Sequence, residues 1–175
     1  MSMPHVIRNL IVAFAALVWT GLAHAQTTIT LTATQDNTLY EDEQGDVSNG
    51  QGPDIFVGTN QVPTIRRALV RFNLNTIPPG STITSATLRL RLNRVRSTNA
   101  VAVHRALADW GEGPSAALSS TGQGAPATYG DATWLHRFYD AFFWTAPGGD
   151  YVAAASASTN LGSVGTTYSW SGAGM

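Results

Sequence analysis

Cysteine is absent from this 175-residue chain. No disulfide staples it, so its stability must come from a packed core, a metal or a partner. Lysine is absent too; every basic side chain is an arginine. Charged residues make up only 12% of the chain, and the formal net charge is −1. Without residues 1–25, which hold Arg8, nine arginines face eleven acids and the balance is −2. Such a balance excludes nucleic-acid binding by bulk electrostatics. The chain has no N-x-[ST] sequon, no G-x-S-x-G elbow and no H-E-x-x-H pair.

Apart from one segment, long apolar runs are also missing. That segment lies at the N-terminus: Arg8, then an apolar stretch from Leu10 to Leu22, then Ala23-His24-Ala25 before Gln26. A positive start, an apolar middle and an A-x-A site make a cleavable export signal. The apolar stretch falls short of the roughly 20 residues that span a bilayer. Residues 1–25 are therefore expected to be a helical signal peptide. Residues 26–175 are expected to be one secreted domain with no membrane span after cleavage.

What the remaining residues do have is alternation. Ile65 to Leu74 (IRRALVRFNL) sets Ala68, Val70, Phe72 and Leu74 against Arg67, Leu69, Arg71 and Asn73. After the Pro78-Pro79-Gly80 turn, Leu88, Leu90 and Leu92 alternate with Arg89 and Arg91. Period-two patterns mean strands with one buried face. Further strands are expected at Thr27–Ala33, Asp36–Tyr40, Ile55–Gly58, Val101–Leu107, Ala132–Tyr139, Tyr151–Ser158 and Thr166–Trp170. Gly113 to Gly130 forms a long loop, either ligand-facing or mobile. No helical periodicity occurs beyond the signal segment. Short strands between Gly/Pro turns predict an all-β antiparallel sandwich of jelly-roll type.

The ordered series DNTLYE, SNGQG, IFVGT, IRRALVRFNL, IPPGSTITSATLRLRL, VAVHRALADWGEG and GDATW, from Asp36 to Trp134, resembles the DNRLRE-type domain. That domain is also described as carbohydrate-binding module family 96. The later HRFYDAFFWTAPGGDY is similar to its exported-protein branch. The resemblance implies a jelly roll on secreted or surface proteins, with acidic polysaccharides such as alginate bound by some members. It also implies further strands after Ser169-Trp170, so the domain is expected to be C-terminally truncated.

Candidate sites follow from residue type. Side chains two apart on a strand share a face about 7 Å from each other. Arg67 with Arg71, and Arg89 with Arg91, can thus match successive carboxylates of a polyuronate with bidentate guanidinium contacts. The two pairs split if they lie on opposite sheets, and the bland alternative is a solvated face of paired charges. Trp134 and Trp144 are candidate stacking surfaces for sugar rings, while Trp110 and Trp170 are expected in the core. Asp36, Glu41 and Asp42 offer hard oxygens to a structural calcium, although the surrounding loop does not fit the EF-hand register. No cofactor is otherwise expected. Asp109, Glu112, Asp131, Asp140 and Asp150 sit beside turn residues, where acids cap and solvate. Beyond the signal segment only His104 and His136 remain. The expectation is a non-catalytic binding module for a polysaccharide, favouring an acidic one. The alternative is a structural or adhesive surface domain without sugar specificity, associating through open strand edges.

Overall fold

A computed structural model describes residues 26–59, 64–118, 122–172 and 174–175. The expected signal peptide at 1–25 lies outside the described residues. Among those residues there is no helix, and every strand pairing is antiparallel. The first layer is a three-stranded sheet of β1 (Ala33–Tyr40), β4 (Ile65–Phe72) and β3 (Gly58–Thr59), in the order β1-β4-β3. The second layer holds two ribbons. In one, β5 (Thr87–Arg91) pairs with β11 (Thr167–Ser171). In the other, β6 (Asn99–Val103) pairs with β10 (Ala157–Leu161). The successive strands β10 and β11 lie side by side, tied by Thr159 Oγ1 donating to Ser169 O at 2.6 Å. Two short pairs complete the fold: β2 (Val47–Ser48) with β7 (Ala125–Pro126), and β8 (His136–Phe138) with β9 (Phe142–Phe143). The architecture is thus an all-β, sandwich-like assembly of antiparallel sheets.

Strand limits differ from the expectation where partners are lacking. Residues 27–32 alternate but join no strand ladder among the described residues and stay mostly exposed, so β1 starts at Ala33. Of the alternating stretch at 132–139, only His136–Phe138 is strand. Residues 132–134 are instead buried in irregular backbone, pinned by Ala132 N to Gly111 O at 2.8 Å and Thr133 N to His136 O at 2.8 Å. The expected strand at 151–158 is displaced to Ala157–Leu161, where β6 offers an edge.

The core is aromatic and one-sided. Leu39, Trp110, Ala132, Trp134 and Trp144 form its buried centre, with Ile65, Leu69, Ala108 and Leu135 packed against it. It covers the β4 face that carries Leu69. The opposite face of β4, with Ala68, Val70 and Phe72, lines a hollow of about 1080 Å³ that reaches Leu88 and Leu90 of β5 and Val101 and Val103 of β6. These residues are half-buried, not fully enclosed as the alternation predicts, because the two layers do not close on each other.

A polar knot holds the loops against β1. Asn37, Thr38, Ser48, Asn49, Asp131 and Thr133 are all at most 1% exposed. Asn37 Oδ1 accepts from Thr38 N at 2.7 Å and Asn49 N at 3.1 Å, with Ser48 Oγ at 3.0 Å. Its Nδ2 donates to Glu112 O at 2.8 Å. Asn49 Oδ1 accepts from Ala117 N at 2.9 Å, and Asp131 Oδ1 accepts from Ser115 N at 3.3 Å. The described part of the 113–130 loop is therefore fastened at Ser115 and Ala117. Gly113 allows the close approach: its φ is +68°, and a Cβ there would meet Asp131 Oδ1 at 1.8 Å.

Replacing Asn37 with leucine keeps the branched shape but strands these buried donors and the Glu112 carbonyl. The expected cost is at least about 3 kcal/mol, or a melting-temperature fall of about 6–12 °C in a domain of this size. Thermal unfolding by circular dichroism measures it; a fall below about 2 °C would contradict the knot's role.

Candidate functional site

The four arginines singled out from the alternation separate into two chemically different pairs. Arg67 and Arg71 project from β4 on the side of the aromatic core. The Arg67 guanidinium lies 4.9 Å from the Trp134 ring centroid and 5.0 Å from that of Tyr151, and its Nη1 donates to Gly148 O at 2.6 Å. Arg71 stacks 4.9 Å over Trp110 and forms an ion pair with Asp109. Both cations are thus engaged within the fold by ring faces, a carbonyl and a carboxylate.

Arg89 and Arg91 are exposed on the outer face of β5. Across the ladder Arg89 faces Ser169, Arg91 faces Thr167, and Thr87 faces Ser171. All four of these partners are exposed, so the outer face is a strip of guanidinium and hydroxyl groups. The inner face of the same ribbon carries Leu88, Leu90, Tyr168 and Trp170. Period-two alternation thus turns the apolar side chains toward the hollow and exposes the arginines, with Arg91 and Arg94 also reaching the hollow's rim. The chain leaves β5 through an irregular link in which Arg94 and Arg96 are also exposed. Within that link Asn93 Nδ2 donates to Asp54 Oδ1 at 2.7 Å. Among the described residues the ion pair of Arg71 with Asp109 is the one present, so none of these four guanidinium groups is neutralised in that way. Sequence reasoning missed Arg94 and Arg96 because the strand pattern breaks at Asn93. The signal was the continued run of arginines two or three residues apart.

The tryptophan expectation requires correction. Trp134 and Trp144 are only 7% and 6% exposed and belong to the core. The Arg67 guanidinium lies over the Trp134 ring, and Trp144 Nε1 donates to Thr133 O at 2.9 Å. Neither offers an open ring for a sugar. Trp110 and Trp170 are buried as expected. The exposed aromatic rings among the described residues are elsewhere, at Phe142 and Phe143 on β9, at Tyr129 and at Tyr151. Three consecutive aromatics at 142–144 were the missed signal, since an extended chain cannot turn all three inward.

The candidate calcium ligands do not converge. Glu41 Oε2 accepts from Ile65 N at 2.6 Å, and Asp42 Oδ1 accepts from Gln44 N at 2.9 Å and Gly45 N at 2.8 Å. Asp36 lies beside Glu112, whose Oε1 accepts from Asp36 N at 3.0 Å. No group of three or more histidine or acidic side chains assembles a metal cage among the described residues. Calcium needs six to eight oxygens, and the Glu41 and Asp42 oxygens named here are aimed at backbone N–H groups. Asp36, Glu41 and Asp42 are thus not brought together as one acidic cluster among the described residues, and Asp42 Oδ2 is buried without a hydrogen-bond partner among them.

Burial, and secondarily the Glu112 carboxylate, push the Asp36 carboxyl above its usual range. A carboxyl raised in the folded state favours folding when protonated, below the unfolded value. That contribution is lost as pH rises through the raised folded value. Asp36→Asn should therefore be more stable than the parent near neutral pH, with the gain shrinking on acidification through the carboxylate range. Urea midpoints measured across pH test this; an Asn variant less stable at neutral pH would contradict it.

A family model described as carbohydrate-binding module family 96 matches residues 27–130, more than half of the chain. No curated protein and no solved structure matches it. The matched span runs from the start of the described fold through β7 and contains both arginine pairs. Trp134, Trp144 and the β8–β9 hairpin lie beyond it. With an all-β antiparallel fold, a polar arginine strip and this match, the chain belongs to carbohydrate-binding module family 96.

Proposed function

We propose that this domain is an exported, non-catalytic module that binds an acidic polysaccharide, a polyuronate in particular, through Arg89, Arg91, Arg94 and Arg96. The observation carrying this reading is the exposure of four arginines within eight residues, none in an ion pair among the described residues. A guanidinium fork matches a carboxylate with two parallel hydrogen bonds. Alternate positions on β5 repeat that fork along the strand, and Thr167, Ser169 and Ser171 add hydroxyls for sugar oxygens. A polymer with a carboxylate on each sugar supplies the complementary row. Export rests on the signal-like residues 1–25. The reading needs no metal and no catalytic pair.

A structural or adhesive role is the second reading. The half-buried Val70, Phe72, Leu88 and Leu90 around the interlayer hollow favour it, since exposed apolar surface and open strand edges invite association.

Affinity electrophoresis in alginate or pectate gels separates the two. Arg89→Ala with Arg91→Ala should weaken retention at least about tenfold, each charged contact being worth about 1.5–3 kcal/mol. Raising the salt should also weaken it. Arg67→Leu with Arg71→Leu should lower the melting temperature while the folded fraction keeps its retention. Unchanged retention after the Arg89/Arg91 double change would contradict the strip. No retention combined with concentration-dependent sedimentation would favour the adhesive reading.

A further inference from the structure

We propose that the β8–β9 hairpin is a second carbohydrate subsite, one that takes the flat C–H face of a pyranose in a neutral glycan. It is distinct from the arginine strip and lies beyond the span matched by the family model. Phe142 and Phe143 are 56% and 67% exposed, in a chain whose four tryptophans beyond residue 25 are all buried. Their positions are fixed from beneath. Trp144 N donates to Leu135 O at 3.0 Å, Gly111 N to Arg137 O at 2.9 Å, and His136 N to Thr133 Oγ1 at 3.0 Å. The tight turn closes with Ala141 N donating to Phe138 O at 3.0 Å, and Asp140 takes the left-handed conformation (φ 62°) that aspartate tolerates better than most residues.

Each exposed ring is backed on one side. The His136 ring lies 4.2 Å from Phe143, tilted by 33°, and the Arg137 guanidinium lies 4.9 Å from the Phe142 centroid. Both phenyl groups are thus held as plates with an open face. Consecutive strand residues point to opposite sides, so the two plates do not form one flat wall. Their combined exposed area is roughly 250 Å², taking about 200 Å² per ring. A stable protein interface needs about 800 Å² from each partner. One sugar ring, by contrast, covers about one phenyl ring. Arg137 lies over Phe138 and Phe142, and the phenyl faces themselves carry no charge, so the contact they offer a sugar is with its apolar C–H face and calls for no carboxylate.

The test uses gels containing hydroxyethylcellulose, glucomannan or β-galactan at low and high salt. The parent should be retarded by at least one of these polymers, to the same degree at both salt concentrations. Phe142→Ala with Phe143→Ala should weaken that retardation at least fivefold, and Arg89→Ala with Arg91→Ala should leave it unchanged. Phe142→Leu with Phe143→Leu keeps apolar bulk without the rings, and should also lose retardation while remaining folded. No retardation of the parent by any of the three polymers would overturn the proposal. So would full retention by the leucine variant, or self-association of the parent that the phenylalanine changes abolish. Retention on polyuronate is read in separate gels, so failure of the arginine strip does not mask the result.

Discussion

A single buried carboxamide organises much of this domain. Asn37 is fully buried on β1, and an amide removed from water must find its hydrogen bonds inside the protein. It finds them in two distant stretches of chain, at Ser48 and Asn49 and at the carbonyl of Glu112. Drawing those stretches onto β1 brings Trp110, two residues before Glu112, onto the sheet. Trp134 arrives close by, through Ala132 on Gly111 O and Ser48 Oγ on Ala132 O. The aromatic roof that results is a consequence of polar satisfaction as much as of hydrophobic burial.

The roof decides the fate of the arginines. Beneath it, Arg67 and Arg71 lie on indole faces and serve as amphipathic packing, with the guanidinium heads paired within the protein. On the second layer no described residue covers Arg89 and Arg91, which stay exposed on the outer face of β5. One residue type at one strand spacing therefore has two uses, and the difference comes from which face the loops cover. Net charge hides this: a domain near −2 still presents four cations within eight residues.

The strand pattern was legible wherever alternation coincided with a partner strand. β4, β5 and β11 lie close to where Ile65–Leu74, Leu88–Leu92 and Thr166–Trp170 place them, whereas β6 (Asn99–Val103) covers only the first part of the expected Val101–Leu107 strand. The family was legible too, because its ordered motifs run along these same strands. The expected Thr27–Ala33 strand alternates equally well, yet its residues 27–32 join no ladder among the described residues, which no local pattern reveals. The tryptophans were misplaced because a strand face in sequence does not say whether loops cover it. Trp134 is enclosed by Arg67 and by a turn at Gly148 some fourteen residues later. Asn37 and Asn49 carried no sequence signal as organisers, since an asparagine in a strand or in a turn-rich stretch looks the same whether solvated or buried. Pairing over distances such as Asn37 to Glu112 is a property of the fold alone.

On the proposed reading, coverage by the aromatic roof, and not strand spacing, selects which arginines are open to a polyuronate. Two-dimensional amide NMR during titration with oligouronate tests this most directly. The account predicts shifts at Arg89, Arg91, Thr167 and Ser169, with Arg67, Arg71 and Trp134 unmoved. Shifts concentrated at Arg67, Arg71 and Trp134, with β5 and β11 silent, would contradict it.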